Sequence, residues 1–257
     1  MSEDTNFDQH SKRFKNNIYD TDKGKIRLKQ LLHDLQHNMP VLQQNKKLSI
    51  LDAGCGMGQV AVHLAKQGHR LTLCDISSDM LDIARQTFVD EDCSASFIRS
   101  SAQTLGSEHD KSYDLILFHA VLEWLDQPET IISSLKQRLK PGGSLSLMFY
   151  NKNSIIFYNL LKGNFKKVLK QDFKGHPGGL TPVNPIDPDD VSIWLQSNQF
   201  TTLKKTGIRV LYDYLNKDLK QGRSIEDIMQ MESIYADKSP FNQLARYLHY
   251  ICELSDK

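Results

Sequence analysis

The chain has 257 residues with 32 basic and 31 acidic side chains, and its 39% of hydrophobic residues is ordinary for a soluble globular protein. No apolar run approaches the roughly 18 residues of a membrane span and the polar N-terminus lacks a signal-peptide pattern, so we expect neither a membrane protein nor a secreted one. The four cysteines are scattered, which argues against a disulfide framework and a zinc cluster, and we expect a cytoplasmic protein without a metal site.

Apolar residues recur at near-helical spacing over residues 6–38, with a break at 20–24, and they predict a helical cover over residues 1–45. Strand and helix patterns then alternate along the chain. Strands are predicted at 47–54, 70–76, 94–100, 113–122 and 143–151, and helices at 60–67, 78–88 and 129–139. Because strands that alternate with helices form parallel sheets, we expect a doubly wound α/β core over residues 46–151.

Residues 152–257 complete the same predicted domain, and they begin with a basic insertion. Residues 160–186 hold four glycines, three prolines and five lysines, which break the alternation. The elements predicted after it are a helix opening at 187–188, a strand at 200–211, a helix near 224–236 and a strand at 245–254. Eleven Lys and Arg against six Asp and Glu give residues 160–223 a charge of +5, which fits a polyanion partner or lysines that solvate exposed helix faces.

A glycine loop follows the first predicted strand, and its sequence is D-A-G-C-G-M-G at 52–58. Such glycines let a ligand approach the backbone, and the helix that follows offers free N–H groups at its N-terminus. A dinucleotide-binding fingerprint would need its third glycine at Gln59, which argues against a nucleotide-dependent oxidoreductase. The loop resembles motif I of class I S-adenosylmethionine-dependent methyltransferases, although Cys55 stands where that family leads us to expect glycine.

This resemblance implies a Rossmann-like doubly wound seven-stranded, mostly parallel sheet, with S-adenosyl-L-methionine as cofactor and S-adenosyl-L-homocysteine as product. Asp75 ends the second predicted strand, where a carboxylate can bind both ribose hydroxyls or cap the next helix. The family's adenine contacts match Ala102 and Gln103, which could also form an ordinary turn. His119 ends the fourth strand, and there we expect contact with the methionine part of the cofactor rather than a general base. The implied cofactor contacts also include Gly54, Cys55 and Gly56.

Longer segments of the sequence indicate one family within these methyltransferases. The segments DQHSKRFKNNIYDTDKGKIR, LILFHAVLEWLDQP, SLSLMFYN and KTGIRVLYDYL are similar to the bacterial tRNA 5-carboxymethoxyuridine methyltransferases, and the likeness runs over essentially the whole chain. It implies methyl transfer from S-adenosylmethionine to the carboxylate of 5-carboxymethoxyuridine at wobble position 34, which gives the methyl ester. It also implies that Arg27 binds the cofactor, since a guanidinium can clamp the methionine carboxylate with two hydrogen bonds.

Three other functions stay open on the same fold. The chain could methylate a small-molecule carboxylate or quinone, it could bind the cofactor without turnover and regulate a partner, or it could use carboxy-S-adenosylmethionine. Salt-dependent RNA binding would argue against the first, because phosphate contacts make affinity fall steeply with salt.

The implied chemistry depends on positioning more than on proton transfer. A carboxylate with a reference pKa of about 4 is already ionised at neutral pH and needs no general base. Good orientation can supply roughly 7–11 kcal/mol of the barrier. Because the sulfonium and the carboxylate neutralise each other during transfer, tight clamping of the carboxylate would favour the ground state. We therefore expect one modest anchor, with Arg209, Tyr150 and Tyr212 as candidates.

The expected partner is the tRNA anticodon stem-loop that carries the modified base. A wobble base lies in a single-stranded loop, so it can be splayed into a pocket and stacked on an aromatic ring. The phosphate backbone needs basic side chains. The insertion and the strand after it supply them as Lys162, Lys166, Lys167, Lys170, Lys174, Lys204 and Lys205.

Overall fold

The computed structural model describes residues 8, 21–105, 112–175, 182 and 184–255. The predicted helix over 6–38 is described from its break onward, and the part before residue 21 lies outside the described residues except for residue 8. The helices are α1 (Asp22–Asn38), α2 (Gln59–Lys66), α3 (Ser78–Asp90), α4 (Pro128–Lys136), α5 (Lys152–Leu161), α6 (Phe165–Leu169), α7 (Pro188–Ser197), α8 (Lys217–Gln221) and α9 (Ile225–Tyr235). None of the described helices is long and apolar enough to cross a membrane.

Seven strands form one sheet in the order β3-β2-β1-β4-β5-β7-β6. The strands are β1 (Ser49–Ala53), β2 (Arg70–Asp75), β3 (Ser96–Arg99), β4 (Tyr113–His119), β5 (Leu139–Tyr150), β6 (Phe200–Ile208) and β7 (Tyr247–Leu254). β1 to β5 pair in parallel, and β7 runs antiparallel to both β5 and β6. The predicted seven-stranded, mostly parallel sheet is therefore confirmed.

The sheet is covered on both faces because each strand of its centre is apolar on both sides. One buried cluster joins the sheet to α4 and α7 through residues such as Ile131 and Val191. The other joins it to α1, α2 and α3 through residues such as Leu35, Ala61 and Phe88. This arrangement leaves the carboxyl ends of the parallel strands as the edge where a ligand can enter.

Three strand bounds differ from the predicted ones by at least three residues, each for a local reason. β4 stops at His119 because Ala120 has a left-handed backbone (φ +58°), and β6 stops at Ile208 because Arg209 has one too (φ +63°). A non-glycine residue with positive φ leaves the extended backbone region of a regular strand. β5 begins at Leu139, earlier than predicted, because it pairs with Tyr113 before the Pro-Gly-Gly turn.

Candidate active site

A deep cavity lies at the carboxyl ends of β1, β2 and β4, where the strand order reverses direction between β1 and β4. Open α/β sheets bind their ligands at such a switch point. Together with the open solvent at its mouth, the cavity holds about 1310 Å³ of space between protein atoms. All eight predicted cofactor residues line it: Arg27, Gly54, Cys55, Gly56, Asp75, Ala102, Gln103 and His119.

The glycine loop forms the floor of this cavity. The amides of Gly54 and Cys55 both donate to the carbonyl of Cys74, at 2.8 and 3.0 Å, so the loop is fixed to the end of β2. Gly54 has φ +75°, and a Cβ there would lie 2.4 Å from Cγ2 of Val121. The loop therefore needs glycine at this position both for its backbone conformation and for space.

Asp75 lies beside the loop at the end of β2. Its Oδ2 accepts from the amide of Gly56 at 2.8 Å and its Oδ1 from the amide of Ser77 at 2.9 Å. Burial raises the pKa of Asp75, and these two amides oppose the rise. Each carboxylate oxygen can accept more than one hydrogen bond, so both keep capacity for a ligand hydroxyl. The cap of α3 is Ser77, whose hydroxyl accepts from the amide of Met80, so Asp75 does not serve as the helix cap and its binding of the ribose stays a prediction.

His119 contacts the cavity from the end of β4. Its Nε2 lies 2.7 Å from the hydroxyl of Ser146. Burial, the neighbouring His249 and the guanidinium of Arg27 hold the pKa of His119 well below its usual value. The ring is therefore neutral at physiological pH, which suits a hydrogen-bonding residue better than a proton donor.

Glu123 is a cavity residue that the sequence reasoning missed. Its side chain is fully buried in the short turn after β4, and neither carboxylate oxygen has a hydrogen-bond partner among the described residues. Burial raises its pKa to about 7, although two amides, its own and that of Tyr150, and the charge of Arg27 pull it down. These amides lie near the carboxylate but do not meet the geometry of a hydrogen bond. The available signal was a glutamate inside the apolar run LILFHAVLEWL. A buried carboxylate without partners favours a cationic ligand.

The three candidate anchors for the substrate carboxylate lie outside the lining of the cavity. Arg209 donates through Nε and Nη2 to the carboxylate of Asp213, at 2.8 and 3.2 Å, and both side chains are buried. Its guanidinium also lies 5.4 Å from the ring centre of Tyr247, which does line the cavity. Arg209 thus borders the site through this ring.

Tyr150 and Tyr212 belong to the surroundings of the same ion pair. Arg246 lies 3.4 Å from the carboxylate of Asp213 and donates to the hydroxyl of Tyr150 at 3.0 Å. The amino group of Lys220 lies 4.6 Å from the ring centre of Tyr212. Direct contact of Arg209, Tyr150 or Tyr212 with a substrate stays a prediction.

The predicted RNA-binding lysines fall into two groups. Lys162, Lys166, Lys167, Lys170 and Lys174 are all exposed, at the end of α5, on α6 and after it. Lys204 and Lys205 lie instead on β6. Lys204 pairs with Asp237 at 3.1 Å, and Lys205 donates to the hydroxyl of Ser192 at 3.1 Å. The first group is thus the better placed to meet a polyanion.

Metal ligation has no support in the described part of the chain, where no group of three or more His, Cys, Asp or Glu could hold an ion. S-adenosylmethionine fits the cavity residues better. A floor that excludes a Cβ, a fixed carboxylate at Asp75 and an unpartnered carboxylate at Glu123 match a ligand with ribose hydroxyls and cationic groups.

Known proteins resemble this chain in sequence or in fold. A methyltransferase domain family matches residues 51–147. The ubiquinone biosynthesis O-methyltransferase of Vibrio parahaemolyticus is 26% identical over 69% of this chain and 73% of its own length. The magnesium protoporphyrin IX methyltransferase of Synechocystis PCC 6803, solved with S-adenosylhomocysteine bound, shares the fold with a TM-score of 0.63 at 15% identity, over 97% of this chain and 96% of its own.

The tRNA 5-carboxymethoxyuridine methyltransferase of Escherichia coli strain K12 is more similar. It is 39% identical over 249 residues, which cover 96% of this chain and 95% of that protein. The same enzyme from Escherichia coli O157:H7 matches equally well. Such identity over nearly the full length of both proteins places this chain in the family of S-adenosylmethionine-dependent tRNA 5-carboxymethoxyuridine methyltransferases.

Proposed function

We propose that this protein transfers a methyl group from S-adenosylmethionine to the carboxylate of 5-carboxymethoxyuridine at wobble position 34 of tRNA, which forms the methyl ester. The observation that carries the proposal is the extent of the likeness. Identity of 39% covers 96% of the chain, well beyond the matched methyltransferase domain at 51–147. The part of the protein outside the cofactor core is therefore shared with the tRNA enzyme too.

Under this proposal, the cavity residues form two groups, one for each end of the cofactor. Asp75 would hold the ribose, Ala102 and Gln103 would contact the adenine, and the backbone of Gly54 to Gly56 would lie along the cofactor. Arg27 and Glu123 would hold the other end. The α-carboxylate of S-adenosylmethionine suits the guanidinium of Arg27, and its α-ammonium suits the unpartnered carboxylate of Glu123. When bound, the cofactor supplies an electrophilic methyl group.

The protein's part in the reaction is alignment and exclusion of water. The substrate carboxylate needs no base, because it is ionised far above its reference pKa of about 4. The buried cluster of Arg209, Asp213 and Arg246 carries two positive charges against one negative charge and borders the cavity through Tyr247. A charge placed behind this ring would attract the carboxylate modestly, which is what a reaction that discharges the nucleophile requires.

The insertion would hold the anticodon stem-loop. Its five exposed lysines lie among exposed apolar side chains, since Phe165 is 59% exposed and Leu169 is 84% exposed. Basic groups mixed with an exposed aromatic ring are the composition that binds single-stranded nucleic acid through phosphates and stacked bases. This mixture supports an RNA surface rather than a purely solvated helix face.

The test is methyl transfer from labelled S-adenosylmethionine to two tRNA pools, one with 5-carboxymethoxyuridine and one from cells that cannot make it. We expect label in the first pool only, located at position 34 by nuclease digestion and released by mild alkaline hydrolysis of the ester. Label in neither pool, with the cofactor still bound, would overturn the proposal and favour a small carboxylate or quinone substrate.

A further inference from the structure

A chain of buried polar side chains leads from the cavity to helix α1. It begins at His119 on β4, crosses Ser146 on β5 and His249 on β7, and ends at Asp34 on α1. The three contacts are 2.7, 2.7 and 2.5 Å long. Ser146, His249 and Asp34 are almost completely buried. The proposed reaction gives none of these three residues a role.

The contacts of Asp34 favour one direction of the protons along this series of hydrogen bonds. Asp34 is an acceptor, because Asn38 donates to its Oδ1 at 2.6 Å and, despite burial, the contacts with His249 and Asn38 lower its pKa. Nδ1 of His249 then donates to Asp34, and with this single ring proton its Nε2 accepts from the Ser146 hydroxyl. That hydroxyl oxygen is left to accept from Nε2–H of His119.

A neutral histidine has one ring proton, so a proton on Nε2 leaves Nδ1 as an acceptor. His119 lines the cavity, and its Nε2 is taken by Ser146, so Nδ1 is the nitrogen left for a ligand. The guanidinium of Arg27 lowers the pKa of both His119 and Glu123, and all three residues line the cavity, so both acceptors lie within the electrostatic reach of one guanidinium.

We propose that Asp34, His249 and Ser146 are positioning residues that fix His119 as its Nε2–H tautomer, so that Nδ1 accepts a hydrogen bond from the α-ammonium of S-adenosylmethionine. An ammonium has three donors, so it can serve Glu123 and His119 together. The proposal rests on the proposed function for the identity of the ligand. It is independent of the methyl acceptor.

The first measurement is the tautomer of His119 in the ligand-free protein. Long-range ¹H–¹⁵N correlation spectra distinguish protonated from unprotonated ring nitrogens, and His119→Asn assigns the signals. We expect Nε2 protonated and Nδ1 unprotonated in the wild type. A proton on Nδ1 would overturn the proposal. The hydrogen bonds would then be donated in the opposite direction, from a doubly protonated His249 toward His119.

The second measurement uses Ser146→Ala, which removes the hydroxyl that links His119 to His249. Ser144→Ala is the matched control. Ser144 is buried on the same face of β5 but takes no part in the hydrogen bonds that join His119 to Asp34. Calorimetric titration compares S-adenosylhomocysteine with an analogue that lacks the α-amino group. We expect Ser146→Ala to weaken binding of S-adenosylhomocysteine on the order of tenfold and to leave binding of the analogue unchanged.

A merely structural role would give a different result. Ser146→Ala would then weaken both ligands equally, or neither, and the proposal would fail. Failure of the tRNA assay with an intact Nε2–H tautomer and an intact ligand difference would overturn the proposed function alone. Should Ser146→Ala fail to fold, the tautomer measured in the wild type still decides the matter.

Discussion

At the scale of single residues, Glu123 is the side chain whose cost to the ligand-free fold is clearest. Its carboxylate is fully buried without a partner among the described residues, and its pKa is raised from 4.5 to about 7. A carboxyl group whose pKa is higher in the folded state destabilises the fold as it ionises. The loss begins above the unfolded value of 4.5 and is complete above pH 7.

The first prediction is that Glu123→Gln stabilises the ligand-free protein and weakens cofactor binding. The raised pKa corresponds to at most about 3 kcal/mol, reduced by the cost of burying the amide. Urea denaturation should show the variant gaining on the wild type between pH 5 and 8. Titration at pH 8 should show S-adenosylmethionine bound roughly tenfold or more weakly. A stability difference that does not change with pH would contradict the assigned burial of the charge.

The second prediction concerns the glycine loop. Gly54→Ala places a methyl group in a left-handed backbone and against Val121, while Gly68→Ala meets the same backbone strain with no atom within 4 Å. We expect Gly68→Ala to cost about 1–2 kcal/mol and Gly54→Ala about 1–3 kcal/mol more. Urea denaturation of both variants measures this. Equal costs would mean that the loop shifts to admit the methyl group.

At the scale of elements, the insertion lysines yield the third prediction. Replacement of Lys166, Lys167 and Lys170 by Ala should weaken tRNA binding and reduce the slope of log affinity against log salt by about 2–3, since each phosphate contact contributes about 0.7–0.9. Filter binding over a salt series measures this, with S-adenosylhomocysteine affinity as a check on folding. Lys204→Ala is the comparison, because its amino group already pairs with Asp237. An unchanged slope in the triple variant would show that these lysines of the insertion do not contact the RNA phosphates.

The elements also show what the sequence could predict. Local patterns sufficed for the alternating strands and helices, and the glycine loop with Asp75 located the cavity, because these signals lie within about 25 residues of each other. Asp34 and His249 are 215 residues apart and meet only when β7 enters the sheet beside β5. No local pattern carries that pairing. Arg209 and Asp213 are only four residues apart, but their ion pair forms where the left-handed backbone of Arg209 ends β6, within the strand that the sequence predicted over 200–211.

At the scale of the whole molecule, the cofactor cavity is not confined to the central strands. Helix α1 contributes Arg27 from near the start of the described chain, and β7 contributes Tyr247 from near its end. The same two elements meet again in the contact of Asp34 with His249. A ligand in the cavity therefore touches elements from both ends of the described chain.

The last prediction follows because elements from both ends of the described chain line the same cavity. Because S-adenosylhomocysteine would contact α1, the central strands and β7 together, its binding should stabilise the molecule as one unit. At a ligand concentration 100 times Kd the gain is about 2.7 kcal/mol, which should raise Tm by about 5–10 °C in a chain of this size. Scanning calorimetry should show one transition that moves as a whole. Two transitions, of which only one shifts with the ligand, would mean that the part after residue 151 unfolds independently of the cofactor core.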